Sequence, residues 1–161
     1  MFARLFKPKV DLASLAIRWG IAAIFLVHGY FKVVQDHPLV RQFSVEEQAM
    51  IGWAELVIGG LMAVGLFSRV TALAAIAHQI AVVVFITGRR AFTAFDITAT
   101  GADYTRVGPE FNLVFTALCV GVLLLGSGAF SLDGLIVRLW SHMQTTGPAA
   151  QTPAPAGIVA K

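Results

Sequence analysis

Residues 56–86 are almost continuously apolar and carry one arginine, one histidine and one glutamine. The run is too long for one crossing of a hydrocarbon core, which takes about 20 apolar residues. It breaks at Gly65-Leu66-Phe67-Ser68-Arg69, so it reads as the main part of two antiparallel crossings joined by a tight turn. The same pattern predicts two further segments, giving helices over 11–34, 49–67, 70–87 and 110–126. Helices are required, because backbone groups in lipid must be satisfied within the segment. Asp11, with Pro8 upstream, is the expected N-cap of the first.

After Gly126-Ser127-Gly128 the period changes. Ser131 can cap a helix, and Asp133 suits its positive end. Leu132, Leu135, Ile136, Leu139 and Trp140 then share one face, which predicts a short amphipathic helix at the membrane surface. The expected fold class is all-α, an integral membrane four-helix bundle with a C-terminal interfacial helix. The expected organisation is an N-terminal segment at 1–10, the helical domain at 11–143 and a disordered tail at 144–161, rich in Pro, Ala, Thr and Gln. The connection over 88–109 is long for a bundle and reads equally as a lid or partner surface and as a solvated connector.

Composition agrees. The chain of 161 residues is 57% hydrophobic and 13% charged, about half the charge of a soluble domain, with mean hydropathy +0.77. The net charge of +3 does not indicate nucleic acid, since the basic residues are dispersed at segment ends where lipid head groups lie. Arg4, Lys7 and Lys9 precede the first helix, which places both termini in the cytoplasm. No small-residue cleavage site follows, so the first helix is read as uncleaved. Cys119 is the only cysteine, which excludes an internal disulfide, a dithiol relay and a cysteine zinc site. Small residues at four-residue spacing, Ala16/Gly20, Gly59/Ala63 and Ala117/Gly121, are the expected close helix contacts.

Depth singles out the chemistry. At 1.5 Å per residue, His28 lies about 9 Å from the outer end of its helix, Glu55 about 9 Å and His78 about 13 Å. Lys32 follows His28 by one turn, and Glu110 and Asn112 open the fourth helix. Every helix can therefore bring a polar group to the outer half of the bundle. The inner half offers mainly Arg18, placed either in a site or reaching to the head groups. A carboxylate in low dielectric must be protonated, paired or hydrogen-bonded; Lys32, His28 and His78 are the available partners of Glu55. A histidine beside a carboxylate exchanges protons near neutral pH, which suits proton-coupled chemistry on a quinone oxygen. Phe25, Tyr30, Phe31, Trp53 and Phe111 can form an apolar slot for a ring, although Tyr30, Trp53 and Trp140 also fit an aromatic belt. Two histidines in four helices are thin support for haem, and a metal on His28, Glu55 and His78 has no better support.

Three stretches carry a resemblance: Arg18 followed by FLVHGYFK at 25–32, ELVIGGLMAVGLFSR at 55–69, and GSGAFSLD at 126–133. In order and spacing the chain resembles the DoxX family of small four-helix bacterial membrane proteins over nearly all of 11–140. Ser127 stands where the family usually has proline. The resemblance implies a multi-pass subunit of the bacterial inner membrane linked to redox metabolism, with other membrane or extracytoplasmic subunits as partners. It carries site roles onto His28, Lys32 and Glu55. His78, Trp53, Glu110 and Asn112 come from the residues themselves as cofactor-binding candidates. Quinone is the expected cofactor. A non-catalytic scaffold and a small-solute or proton pathway remain as alternatives.

Overall fold

The computed structural model describes residues 9–37, 43–87, 92, 96–98, 101–103 and 108–145. The charges expected at Arg4, Lys7, Arg41, Arg89, Arg90, Arg106 and Lys161, and the tail beyond Thr145, lie outside the described residues. Among the described residues five helices make the protein all-α in its main elements: α1 (Val10–Val34), α2 (Val45–Val64), α3 (Ser68–Val82), α4 (Pro109–Leu125) and α5 (Leu132–Thr145). A π-helical turn, Val83–Thr87, prolongs α3. Within the long connection, β1 (Asp96–Thr98) and β2 (Gly101–Asp103) pair antiparallel, with Ile97 opposite Ala102.

α1 packs along α2, and α3 along α4. α1 also meets α4, and α2 meets α3, closing a four-helix ring. Ile21, Phe25, Met62, Ala75, Phe115 and Cys119 fill its core. Trp19, Val27, Trp53, Val57, Phe85 and Leu124 face outward and are exposed, whereas Arg18, Gln48, Glu55, Gln79 and Asn112 are buried. Water would favour the opposite arrangement. Among the described residues three helices, α1, α2 and Ser68–Thr87, are long and apolar enough to cross a membrane. They suggest a membrane protein in lipid surroundings. α4 is apolar but has 17 residues, about 26 Å of helix.

The boundaries differ from the sequence reading where capping decides them. α2 starts at Val45, four residues earlier than expected, because Ser44 and Glu47 form a reciprocal capping box. A Ser-x-x-Glu signature is visible in the sequence. It moves Glu55 to ten residues from the helix start, about 15 Å along the axis. α2 ends at left-handed Gly65, whose N–H donates to the Leu61 carbonyl, and only three residues separate it from α3.

α1 begins at Val10 after Lys9, with no side-chain cap. Asp11, the expected cap, instead accepts the Ala129 N–H at 2.7 Å. Ser14 donates to the Gly126 carbonyl at 2.7 Å, so the Gly126–Gly128 turn is pinned to α1 without a proline.

Arg18, the end of the 55–69 stretch and the 126–133 stretch converge at this end of the bundle. Arg18 is 0% exposed. It neither reaches to head groups nor enters the candidate site. Nη1 donates to the Met62 and Ala63 carbonyls at 3.0 and 3.3 Å, and Nη2 to the Phe130 carbonyl at 2.6 Å. It thereby ties the last turn of α2, whose carbonyls lack helical partners, to the segment before α5.

Ser131 caps α5, accepting the Gly134 N–H at 3.0 Å. Asp133 serves a different helix: its two oxygens accept the Phe67 and Ser68 N–H groups at 2.8 and 2.9 Å. It supplies the cap that α3 lacks, since Phe67 makes no side-chain cap of its own.

Burial acts to raise the Asp133 carboxyl, but the Ser68 and Phe67 N–H groups outweigh it and hold it below the usual aspartate range. A depressed folded-state value contributes stability above the unfolded value, which is lost as pH falls through the folded one. Asp133→Asn should therefore flatten the acid limb of a thermal-melting profile in detergent. At neutral pH, Asp133→Ala should cost about 1 kcal/mol. An unchanged acid limb would exclude this cap.

Candidate ligand site between the helices

The glycines come first, because they set the distance between α1 and α2. A Cβ on Gly29 would lie 2.7 Å from the Gly52 carbonyl oxygen, and one on Gly52 would lie 2.8 Å from that of Gly29. The two backbones touch here. Gly59 presses on Leu26, but nothing lies within 4 Å of a Cβ on Gly20, and Gly121 meets Ile17 at an ordinary 3.8 Å. Of the expected small-residue contacts, the one at Gly59 is tight. The tighter Gly29–Gly52 contact falls between helices, at positions that no spacing within one helix reveals.

Three residues after Gly29 comes Lys32, and three after Gly52 comes Glu55. The two helices run antiparallel, so these residues lie a turn to either side of the glycine contact, and the long lysine side chain spans the interval: Lys32 Nζ pairs with Glu55 Oε1. The same oxygen is 2.9 Å from His78 Nε2, reaching in from α3. Side-chain exposure is 18% for Lys32, 2% for Glu55 and 16% for His78, so the arrangement is largely withdrawn from solvent. Phe25 meets the His78 ring edge-on at 5.2 Å, and Phe115 and Phe111 continue the aromatic row behind it.

A cavity of about 380 Å³ adjoins the cluster, lined by Phe25, His28, Lys32, Glu55, His78 and Phe111, among others. Gln79 and Asn112 form part of its wall. Asn112 Nδ2 donates to Gln79 Oε1 at 2.7 Å, and Thr87 Oγ1 to Asn112 Oδ1 at 3.3 Å. This network joins α3, its π-turn and α4 beside the cavity; such turns often occur at functional sites. Two polar atoms of the triad are buried and have no hydrogen-bond partner among the described residues: Glu55 Oε2 and His78 Nδ1. Leaving such atoms bare costs free energy, and an apolar cavity with a few convergent polar groups is the usual form of a small-molecule site.

No protein-family model, curated protein or solved structure matches the chain. The site therefore rests on its own geometry.

The structure brings together Lys32, Glu55 and His78. His28 is exposed and lines the same cavity, but the imidazole bonded to Glu55 is that of His78. Asn112 lines the cavity through the network above. Trp53 does not line it; it is 59% exposed on the outer surface, where a belt residue would stand. Glu110, half-buried in the first turn of α4, is also not among the lining residues. Tyr30 and Phe31 point outward, leaving Phe25 and Phe111 from the expected aromatic slot.

Sequence reasoning missed Gln79 and Thr87. Both are polar residues in an apolar helix, and the depth argument applied to them would have found them. Among the described residues no group of three His, Cys, Asp or Glu side chains is arranged to hold a metal.

A second cavity of about 330 Å³ shares Lys32, His78, Val82 and Ile86 with the first and extends between α2 and α3 past Ile51 and Phe85.

Proposed function

We propose that this chain is a membrane-embedded four-helix bundle that binds quinone and serves as a subunit of a redox complex. In this reading α4 completes the crossings and α5 lies along the head groups. The resemblance to the DoxX family and the basic residues before α1 support a bacterial inner membrane with both termini on the cytoplasmic side. The carrying observation is that Glu55 Oε2 and His78 Nδ1, both buried and unpartnered, adjoin an apolar cavity large enough for a substituted ring.

Those residues fit the group. Phe25 and Phe111 offer ring faces, Lys32 and His78 hold protons within reach of the cavity, and the second cavity offers apolar volume for a tail. A bound quinone would supply the acceptor for two electrons and two protons. The electrons come from a partner subunit. Glu55 keeps Lys32 and His78 oriented; a proton passed from Lys32 would leave the carboxylate uncompensated in low dielectric, so it has to be replaced from solvent, which the partly exposed Lys32 side chain still reaches.

Gentle detergent purification, solvent extraction and mass spectrometry test the reading. Quinone should accompany the wild-type protein. It should fall at least tenfold in Ile24→Trp, which fills the cavity from α1 without touching the ion pair. A preparation without quinone that retains partner proteins equally in both forms would instead establish the scaffold alternative.

A further inference from the structure

We propose that the site is matched to the reduced, hydroxyl-bearing form of its ligand, a hydroquinone, over the oxidised quinone. This rests on the quinone reading above and follows from counting donors and acceptors. Glu55 Oε1 takes both bonds, from Lys32 Nζ and His78 Nε2. Glu55 Oε2 takes none and is buried, and a carboxylate oxygen only accepts. Glu55 Oε1 can only accept, so the ring of His78 donates through Nε2. Its Nδ1 is the other buried atom without a partner among the described residues, and in the neutral ring that this proposal takes it is an acceptor as well.

A quinone carbonyl brings only acceptors. It can take an N–H from Lys32, but that pose leaves both open positions bare. A hydroquinone brings two O–H donors and can satisfy Glu55 Oε2 or His78 Nδ1 directly. Its hydrogen bond to the carboxylate is charge-assisted, hence stronger than a neutral one. The reduced form is accordingly favoured by at least tenfold. For a two-electron couple, each tenfold of that preference raises the midpoint potential of the bound pair by about 30 mV. The site so built draws electrons into the bound quinone and holds the product until hydroxyl and carboxylate part.

The test is anaerobic equilibrium binding of a short-chain benzoquinone and of its hydroquinone to the detergent-purified full chain. A redox titration of the bound couple gives an independent measure. The expected result is tenfold or tighter binding of the hydroquinone and a midpoint shifted upward by about 30 mV or more. In Glu55→Gln, whose amide offers a donor beside its acceptor, the ratio should collapse towards one. Saturable binding with quinone equal or tighter overturns this inference and leaves the quinone reading standing. Binding of neither form overturns both. An unchanged ratio in a folded Glu55→Gln protein removes Glu55 as its source. Should that variant fail to fold, the wild-type ratio and potential still decide.

Discussion

Glu55→Ala is expected to destabilise the protein by about 3 kcal/mol, the lower end of what removing one partner of a buried ion pair costs. Two cations or donors converge on one carboxylate oxygen. Deleting the carboxylate leaves the Lys32 ammonium facing apolar walls and His78 Nε2 without its acceptor. The lower end applies because Lys32 keeps 18% exposure and can swing partly towards the surface. Joint replacement of the pair by Lys32→Met and Glu55→Leu should recover most of the loss, since apolar residues of similar volume often match a buried pair. Ligand binding should stay lost in both. Thermal unfolding in one detergent, read as a double-mutant cycle, separates these effects. Full stability in Glu55→Ala would show that the pair is not closed off from solvent.

Gly52→Leu should disrupt assembly by a different route. Its Cβ would stand 2.8 Å from the Gly29 carbonyl oxygen and 2.9 Å from Lys32 Cβ and Val33 Cγ2. The first obstacle is backbone, which cannot turn aside as a side chain can. Overpacking in a filled interior typically costs about 1–3 kcal/mol, and here relief requires α1 and α2 to separate where Lys32 reaches Glu55. Both melting temperature and ligand binding should fall. Gly60→Leu is the control, because nothing lies within 4 Å of a Cβ there; it should leave both unchanged. Equal behaviour of the two variants would mean that the α1–α2 contact is not as close as described.

The two predictions differ in what the sequence could foresee. An acidic residue within an apolar run announces its own cost, so Glu55 stands out before any fold is known, with Lys32, His28 and His78 as its candidate partners. Selection among them needed coordinates. His28 and Lys32 lie one turn apart on the same side of α1, and the axial register of α1 against α2, with side-chain reach, decides which meets the carboxylate. That register is marked by the Gly29–Gly52 contact, a property of two helices together. Trp53 shows the converse limit: an aromatic residue two positions before Glu55 falls on another side of the helix and faces outward.

Asp133 and Arg18 make the same point at the other end of the bundle. Each is conspicuous as a charged group beside an apolar segment, and each acts on a helix distant in sequence. Asp133 caps α3 from 65 residues away, and Arg18 closes the end of α2 from 44.

By itself the chain determined the number and approximate extent of its helices, their apolar exteriors, and the small set of ionisable side chains that burial would force to find partners. Hydrophobic runs, caps and turn glycines are local and act through the backbone at their own positions. The pairing of Lys32 with Glu55 and His78, the two unpartnered polar atoms beside the cavity, and the borrowed caps at Asp133 and Arg18 were decided by tertiary structure alone. They depend on which faces of separate helices come within about 3 Å of one another, and helical period fixes faces without fixing neighbours.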